Sequence, residues 1–276
     1  MIENIVLTRH GHRRAWTEDG GDQFITGILK DDALTSIGEV QAIELASYLA
    51  NLPVLKRPTA IFCSPYYRCL QTADPVSRSL NLPIYVEHGL AEWRSTLLRS
   101  PLHQTLLSAS NLQEWFPNID SSWTSVWQPS RNGENVELLH QRMMGFADVF
   151  LPQVEARLLP AQHARILLVS HAAPIIGLVR HLVNDRQLSI RPGCCSLTEL
   201  MPKPDGEWAV EVLTGGAHLS EASRVDWHQW GFENHGADYG KNHPLISEIE
   251  MDPEAGSQLY KGDADMQEQK NKRDEL

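Results

Sequence analysis

The sequence Asn4-Ile5-Val6-Leu7-Thr8-Arg9-His10-Gly11 begins as an apolar, β-branched run and ends in two ionisable side chains. Such a run is typical of a buried strand. In an open α/β sheet, ligands bind in a crevice beyond the carboxyl ends of the strands. The pair Arg9 and His10 therefore predicts an anion-binding site at the edge of a sheet. Taken alone, the stretch is equally compatible with a strand that ends in solvated polar residues.

Further apolar runs follow the first one, and several are separated by stretches of helical periodicity. Strands are predicted at residues 59–63, 83–87, 165–170, 194–201 and 208–213. Helices are predicted at about 36–51, 66–80 and 136–154, and through Ile176 and Val179. The first has Thr35 as its N-cap and a buried stripe of Val40, Ala42, Leu45, Ala46 and Leu49. This alternation predicts an α/β fold, a three-layer sandwich with a mostly parallel sheet and helices on both faces.

The composition changes along the chain and suggests how it is divided. We assign a main domain at 1–220 with a cap or lid insertion at 95–132, an extension at 221–250 that packs on the domain, and a disordered charged tail at 251–276. The insertion is a long stretch without clear periodicity, which in a compact domain usually has a function. The tail mixes both charge signs with few apolar residues, and such segments do not bury enough surface to fold.

The composition also limits the classes of function. The chain has 276 residues, of which 42% are apolar and 21% are charged, as in ordinary soluble proteins. Its formal net charge of −11 argues against direct binding to nucleic acid. No apolar run has the length of a membrane span, and the four cysteines lack metal-ligand spacing and suit a reducing compartment. We therefore expect a cytoplasmic or nuclear protein, or one found in both compartments, with no membrane contact.

Side chains able to do chemistry recur at the ends of four predicted strands: Arg9 with His10, Arg68, Glu92 and His171. A parallel sheet would gather them in one crevice. The set suits phosphoryl transfer without a metal, in which an imidazole attacks phosphorus, arginines bind the phosphate oxygens and an acid protonates the leaving oxygen. Nearby arginines also disfavour protonation of the imidazole, which must be neutral to attack. The alternatives are structural: buried or solvated histidines, a helix-capping arginine and an ion-paired glutamate.

Three motifs together resemble the histidine phosphatase (phosphoglycerate mutase-like) superfamily. They are Arg9-His10-Gly11, the run Ser64-Pro65-Tyr66-Tyr67-Arg68-Cys69-Leu70-Gln71-Thr72-Ala73, and Val169-Ser170-His171-Ala172. The resemblance covers about residues 1–215. It implies that His10 is the phospho-accepting nucleophile, that Arg9, Arg68 and His171 form the phosphate pocket, and that Glu92 is the general acid. It implies no metal and no cofactor.

Finer features resemble two groups within that superfamily. The stretches Gly89-Leu90-Ala91-Glu92-Trp93 and Arg68-Cys69-Leu70-Gln71-Thr72 are similar to the Sts (UBASH-type) tyrosine phosphatase domains. They are more similar to the fungal group that contains the phosphatase-like subunit of the RNA polymerase III factor TFIIIC and its stand-alone paralogues, which the run from His10 to Trp16 also favours. In this resemblance Arg13 adds a phosphate or substrate contact, and a surface ion pair is the alternative.

These resemblances imply two functions. The first is a phosphomonoester hydrolase acting through a phosphohistidine, with phosphotyrosine or a small phosphoester as the substrate. The second is a weakly active or non-enzymatic subunit that binds other proteins of the transcription complex.

The remaining histidines and the aromatic residues have mainly structural interpretations. We expect His12, His88 and His218 to be solvated or structural. Trp16 and Trp93 flank the predicted crevice, where they either pack under the lid or shape a pocket for an aromatic phosphoester. Three aromatic residues in the extension are expected to fold back onto the domain rather than bind a partner: Trp227, Trp230 and Phe232.

Overall fold

The computed structural model describes residues 1–17, 24–28, 30–95, 105–225, 227–232 and 252–259. Its strands are β1 (Asn4–Arg9), β2 (Ala60–Cys63), β3 (Ile84–Val86), β4 (Trp127–Gln128), β5 (Arg165–Ser170), β6 (Leu197–Pro202), β7 (Trp208–Gly215) and β8 (Gly256–Ser257). Its helices are α1 (Ser36–Asn51), α2 (Tyr67–Leu80), α3 (Ala109–Leu112), α4 (Val136–Arg157), α5 (Pro160–His163), α6 (Ala172–Leu182) and α7 (Glu221–Val225). None of the helices in these ranges is long and apolar enough to cross a membrane.

Six strands form the main sheet in the order β3-β2-β5-β1-β6-β7. The first four in this order are parallel, and β6 and β7 continue the sheet as antiparallel strands. The predicted mostly parallel α/β sheet is therefore confirmed. In the register of β1 and β5, Arg9 lies opposite Ser170, so these two strands end side by side.

The central strands are buried on both faces, because helices cover the sheet on each side. Ile5 and Leu7 of β1 pack in the core formed with α4 and α6. Val6, between them in sequence, points the other way and packs in the core formed with α1 and α2. Burial of both faces explains why β1 and β5 are continuous apolar runs rather than alternating ones.

Helix α1 begins as predicted, but its buried stripe differs from the predicted one at one position. The Thr35 hydroxyl caps the helix by accepting a hydrogen bond of 3.2 Å from the Gly38 backbone N–H. Val40 was expected in the core and is 46% exposed. The neighbouring Gln41 is buried instead. Its side chain accepts a hydrogen bond from the His12 N–H and donates one to the Ser223 carbonyl.

The described part of the insertion packs beside β3 at the edge of the sheet. Ile119 bridges to Ile84, and Trp123 lies in the core with Phe62. Residues 96–104 of the predicted lid lie outside the described residues. The assignment of 95–132 as a lid over the crevice therefore stays a prediction.

The start of the predicted tail needs a correction, because residues 252–259 have a defined position. Strand β8 pairs with β4, and Asp252 accepts two hydrogen bonds from the Arg131 side chain, each 3.0 Å long. Composition alone did not reveal this pairing, because ion pairs of Arg131 with Asp252 and Glu254 and backbone hydrogen bonds hold a segment that is otherwise polar. The remainder of the tail and most of the extension, 233–251 and 260–276, lie outside the described residues.

Candidate active site

The neighbouring ends of β1 and β5 bring two predicted site residues together. His10 follows β1, and its backbone N–H donates a 3.0 Å hydrogen bond to the Ser170 carbonyl of β5. His171 follows β5 directly. The two imidazole rings meet edge to face with centroids 5.2 Å apart, and both side chains are buried. The parallel register thus builds a pair of histidines that are far apart in sequence.

The tautomer of His10 follows from its hydrogen bond, and its neutral state follows from burial and the nearby charges. Its Nδ1 lies 2.8 Å from the Gly11 carbonyl oxygen. Because a carbonyl oxygen only accepts, Nδ1 carries the hydrogen and Nε2 of the neutral ring carries the lone pair. Burial lowers the pKa of His10 well below its ordinary value, and the charges of Arg68 and Arg9 lower it further. The site therefore holds a neutral imidazole with a nucleophilic Nε2.

Close backbone packing holds the segment that carries His10. The Gly11 N–H donates to the Thr72 hydroxyl over 3.1 Å. A Cβ atom on Gly11 would lie 2.6 Å from the Gly38 carbonyl oxygen, and one on Gly38 would overlap the His12 backbone. The first turn of α1 therefore packs directly on the residues after the nucleophile, and both positions require glycine.

Arg68 enters the site from the first turn of α2 and is fully buried. Its Nη2 lies 3.1 Å from His171 Nδ1 and 3.4 Å from Glu92 Oε2. Its Nη1 donates to the Lys30 carbonyl over 3.2 Å. Burial lowers the pKa of Arg68, but the nearby carboxylates, first of all that of Glu92, outweigh it and the pKa is raised. The guanidinium is therefore a permanent positive charge in a buried position.

Two acidic residues beside Arg68 were not identified from the sequence. Asp31 and Asp32 are buried and lie 3.7 and 3.8 Å from Arg68 Nη1. Asp31 also accepts from the backbone N–H of Tyr67 over 2.8 Å, at the start of α2. Asp32 accepts from Arg13 over 3.2 Å and so connects two of the predicted pocket arginines. The signal was present as adjacent acids shortly before a helix N-cap, but the loop has no periodicity that points inward.

His171 differs from His10 because both of its ring nitrogens have side-chain partners. Nε2 lies 2.8 Å from the Ser64 hydroxyl oxygen and 3.4 Å from Cys69 Sγ. Nδ1 lies near Arg68 and is 3.3 Å from Glu92 Oε2. Burial lowers the pKa of His171 to about 4, with Glu92 opposing the shift and Arg68 adding to it. The ring is neutral at pH 7 and is held on both sides.

Glu92 is the most accessible of these groups, with 30% of its side chain exposed. Its Oε1 accepts a 2.9 Å hydrogen bond from the Trp93 N–H, and its Oε2 faces Arg68 and His171. Burial raises the pKa of Glu92, but His171, Arg68 and Arg13 outweigh burial and hold the pKa well below its ordinary value. The carboxylate is therefore ionised at pH 7.

Two buried charged networks hold the loop that carries Glu92. Glu87 accepts hydrogen bonds from the Gly89 and Val126 N–H groups, the Ser125 hydroxyl and the Trp123 indole, over 2.7 to 3.0 Å. Arg142 of α4 donates to the carbonyls of Gly89 and Ala91 and pairs with Glu134 at 2.7 Å. These contacts could not be predicted from the sequence, because most of them join residues that are far apart in the chain and no local sequence pattern marks them.

Arg9 and Arg13 flank His10 in sequence and share one aromatic neighbour. The guanidinium of Arg9 lies 5.1 Å, and that of Arg13 4.9 Å, from the centre of the Trp16 ring. Arg9 Nη1 donates to the carbonyls of Pro192 over 2.9 Å and of His228 over 2.5 Å. The Arg13 side chain is 24% exposed and paired with Asp32. Arg13 therefore makes an ion pair, and its contact with phosphate or substrate stays a prediction.

The other histidines singled out in the sequence make hydrogen bonds to the protein. His12 Nδ1 lies 3.0 Å from the Thr35 hydroxyl, His88 Nε2 lies 2.9 Å from the Leu107 carbonyl and His218 Nε2 lies 3.0 Å from the Cys195 carbonyl. These contacts are those of structural residues. Trp93 contacts the rings of Trp230 and Phe232.

Three of the site residues have a geometry that a metal ion could also use. A ring nitrogen of His10, a ring nitrogen of His171 and a carboxylate oxygen of Glu92 all lie within 4.8 Å of one another. However, the Arg68 guanidinium is 3.1 Å from a ring nitrogen of His171. Its positive charge opposes a cation at this place and favours an anion. Together the five predicted residues Arg9, His10, Arg68, Glu92 and His171 lie in one cluster, in which the positive charges of Arg68 and Arg9 act on His10.

The comparison with protein families agrees with this arrangement. A model of the Histidine phosphatase superfamily (branch 1) matches residues 5–214. The chain belongs to this superfamily. The match contains all the predicted site residues, from Arg9 to His171, and ends with β7.

Two curated proteins are similar to this chain over most of its length. The transcription factor tau 55 kDa subunit of Saccharomyces cerevisiae is 30% identical over 263 residues, which cover 82% of this chain and 58% of the yeast protein. The human ubiquitin-associated and SH3 domain-containing protein A is 27% identical over 279 residues, which cover 83% of this chain and 40% of that protein. The chain thus spans about half the length of these curated relatives.

Solved structures show the same fold at lower sequence identity. The ecdysone phosphate phosphatase of Bombyx mori, in complex with tungstate, superposes with a TM-score of 0.56 and 16% identity, covering 79% of this chain and 95% of the silkworm protein. At this identity the likeness concerns the fold. It supports the histidine phosphatase α/β architecture described above.

Proposed function

We propose that this protein hydrolyses phosphomonoesters through a phosphohistidine intermediate on His10. The observation that carries the proposal is the hydrogen bond from His10 Nδ1 to the Gly11 carbonyl, which leaves the lone pair on Nε2 of a neutral ring. Buried guanidinium groups surround that ring. A nucleophile in this state, beside permanent positive charges, is suited to attack a phosphorus atom whose oxygens those charges hold.

In the first step the phosphate oxygens bind to Arg9, Arg68 and His171, with Arg13 at the rim. Nε2 of His10 forms a bond to phosphorus while the bond between phosphorus and the ester oxygen breaks. Glu92 gives a proton to that leaving oxygen. The cations around Glu92 keep its carboxylate ionised until a phosphate binds. A bound phosphate offsets those charges and raises the pKa of Glu92, so that the carboxyl binds its proton together with the substrate.

In the second step a water molecule attacks the phosphohistidine. Glu92, now ionised, accepts a proton from this water while the bond between phosphorus and Nε2 breaks. Inorganic phosphate leaves, and His10 returns to its neutral form. The partial exposure of Glu92 lets water reach its carboxylate. Neither step uses a metal or a cofactor, because the guanidinium groups supply the positive charge.

The proposed substrate class is a phosphomonoester, either a phosphotyrosine side chain or a small phosphoester. The similarity over 210 residues, at 27% identity, to a Drosophila melanogaster protein described as an ecdysteroid-phosphate phosphatase supports the small phosphoester. We place the protein in the cytoplasm, the nucleus or both.

A second candidate function is that of a subunit of a transcription complex with weak or no activity. The similarity to the yeast transcription factor tau subunit, which covers 82% of this chain, favours it. In that case other proteins of the complex would be the partners. The intact set of Arg9, His10, Arg68, Glu92 and His171 in one pocket favours the enzyme.

The experiment that separates the two functions is a search for the intermediate. The protein is mixed with a radiolabelled aryl phosphate, quenched with base after a few milliseconds and digested for mass spectrometry. We expect label that is stable to base and labile to acid, on the peptide containing His10. Turnover without label on His10 would contradict the mechanism, and absence of both turnover and label would favour the non-enzymatic subunit.

A further inference from the structure

A short segment after the family match reaches the pocket. The match ends at residue 214, and residues 227–232, which we name the C-terminal strap, lie beside the Arg9 end of the site. Residues 226 and 233–251, on either side of the strap, lie outside the described ranges. The strap contacts Arg9 and Trp16.

The strap is anchored on the segment that precedes β6. The Trp227 carbonyl accepts a 2.8 Å hydrogen bond from the Cys194 N–H, and its indole N–H donates to the Cys194 carbonyl over 3.0 Å. A Cβ atom on either Gly193 or Gly216 would overlap the Trp227 ring. The two glycines therefore form a flat surface on which this indole packs. The anchor fixes the position of the next residue, His228.

His228 contacts the pocket through both its backbone and its ring. Its carbonyl accepts a hydrogen bond of 2.5 Å from Arg9 Nη1. Its imidazole stacks on the Trp16 ring with centroids 4.3 Å apart and an angle of 7° between the planes. The backbone φ of His228 is +43°, in the left-handed region that residues other than glycine adopt rarely. Such conformations cluster at functional sites.

The Trp16 ring also contacts two arginines. The guanidinium groups of Arg9 and Arg13 both lie over its ring, at 5.1 and 4.9 Å from the centroid. The Trp16 ring is also 5.9 Å from the ring of His10. His228 therefore supports Arg9 directly and both arginines through the tryptophan.

We propose that the C-terminal strap is a positioning element of the active site, which holds Arg9 and Arg13 in place for phosphate binding through His228 and Trp16. The proposal rests on the proposed phosphatase function. It extends the functional unit beyond the part of the chain that the family model matches. A role in contacting the leaving group is the competing explanation, and the two differ in what they predict for different substrates.

The test compares variants that remove or keep the aromatic contact. Trp16→Ala and His228→Asn remove a ring, and asparagine tolerates the left-handed conformation at 228. Trp16→Phe keeps a ring. His181→Asn is the matched control, since His181 lies on α6 and pairs with Asp148. For each protein we would measure kcat and KM with phenyl phosphate and with glycerol phosphate, inhibition by inorganic phosphate, and the thermal midpoint.

If the strap positions the arginines, Trp16→Ala and His228→Asn weaken phosphate inhibition and lower kcat/KM by about fivefold each, equally for both substrates. Trp16→Phe restores most of the loss. The double variant loses less than the product of the two single effects, because the two rings act as one unit. The control keeps wild-type values.

Two results would overturn the proposal. One is wild-type phosphate inhibition in Trp16→Ala and His228→Asn proteins whose thermal midpoints show that they fold. The other is a loss confined to phenyl phosphate, which would assign the strap to the leaving group. A wild-type protein that neither hydrolyses phosphomonoesters nor binds phosphate would contradict the proposed function itself, and the strap proposal with it. An active wild-type protein with unaffected variants contradicts only the strap proposal.

Discussion

His10 follows β1 and His171 follows β5, at matching positions of two hydrogen-bonded parallel strands. Their surroundings differ in one respect that decides what each ring can do. His10 has a backbone carbonyl at Nδ1, which fixes its tautomer. His171 has the Ser64 hydroxyl at Nε2 and both Arg68 and Glu92 at Nδ1. Similar backbone placement therefore supports a nucleophile at one strand end and a fixed polar group at the other.

The comparison shows that the neighbours of a catalytic residue, more than the residue type, determine its role. Burial lowers the pKa of both histidines, so both are neutral at pH 7. A neutral imidazole has one lone pair. In His171 that lone pair and the ring N–H meet protein side chains on both sides, whereas Nε2 of His10 is left to attack.

The largest expected effect is that of His10→Ala. The variant lacks the attacking nitrogen, so hydrolysis of an aryl phosphate should fall by at least about 10⁴-fold. Single-turnover kinetics measure the loss, and circular dichroism with urea unfolding shows whether the variant is folded. Activity within tenfold of the wild type would assign the nucleophile elsewhere.

A smaller effect is expected for His171→Asn, and this variant tests whether the two histidines have separate roles. On binding, the phosphate takes the place of one of the side-chain partners of His171, and loss of that contact should lower kcat by about 10²–10³-fold. The phosphoenzyme should still form, slowly, on His10, as rapid quenching with a labelled substrate would show. If His171→Asn abolishes labelling as completely as His10→Ala does, the two rings act as a single unit and the distinction fails.

The effect of Glu92→Gln should depend on the leaving group. An alkyl phosphate needs a proton on the leaving oxygen, so its kcat should fall by about 10²-fold or more. An aryl phosphate has a better leaving group and should lose much less in the first step. Parallel measurements of kcat for glycerol phosphate and for nitrophenyl phosphate test this. Equal losses on both would remove the assignment of Glu92 as the acid.

The smallest effect concerns the pH dependence of stability. The pKa of His171 is lowered from about 6.5 to about 4 in the folded protein. Below about pH 6.5 the unfolded chain binds a proton that the folded chain does not, so the free energy of unfolding falls as the pH falls. The expected slope is up to about 1.4 kcal/mol per pH unit for each such histidine, down to about pH 4 for His171.

Urea unfolding of the wild type and of His171→Asn across this range measures the difference. The variant should show the shallower slope. At higher pH, the two slopes should agree because the histidine is neutral in both states. Identical slopes over the acidic range would mean that folding does not lower the pKa of His171 and would contradict the buried, neutral ring described above.

Much of the sheet and the five main site residues could be predicted from the sequence. β1 and β5 are short apolar runs buried on both faces, and no other local structure suits them. Because the carboxyl ends of parallel strands share one edge, residues that follow different strands were expected to converge. The structure brings Arg9, His10, Arg68, Glu92 and His171 together in that way.

The supports around these residues could not be predicted in the same way. Asp32 pairs with Arg13 and lies near Arg68, Arg142 holds the loop of Glu92, and His228 contacts Arg9. Each contact joins residues that no strand or helix period relates. Their partners are set by loop geometry and by the requirement that buried charges be paired.

The contact between Gly11 and Gly38 has a consequence for how this site can vary. A side chain at Gly11 would collide with the Gly38 carbonyl, and a side chain at Gly38 would collide with the backbone of His12. A substitution at one glycine cannot be relieved by a smaller residue at the other, because none exists. Single substitutions therefore cannot shift the nucleophile by small steps. Changes in substrate specificity have to arise from substitutions in the surrounding loops.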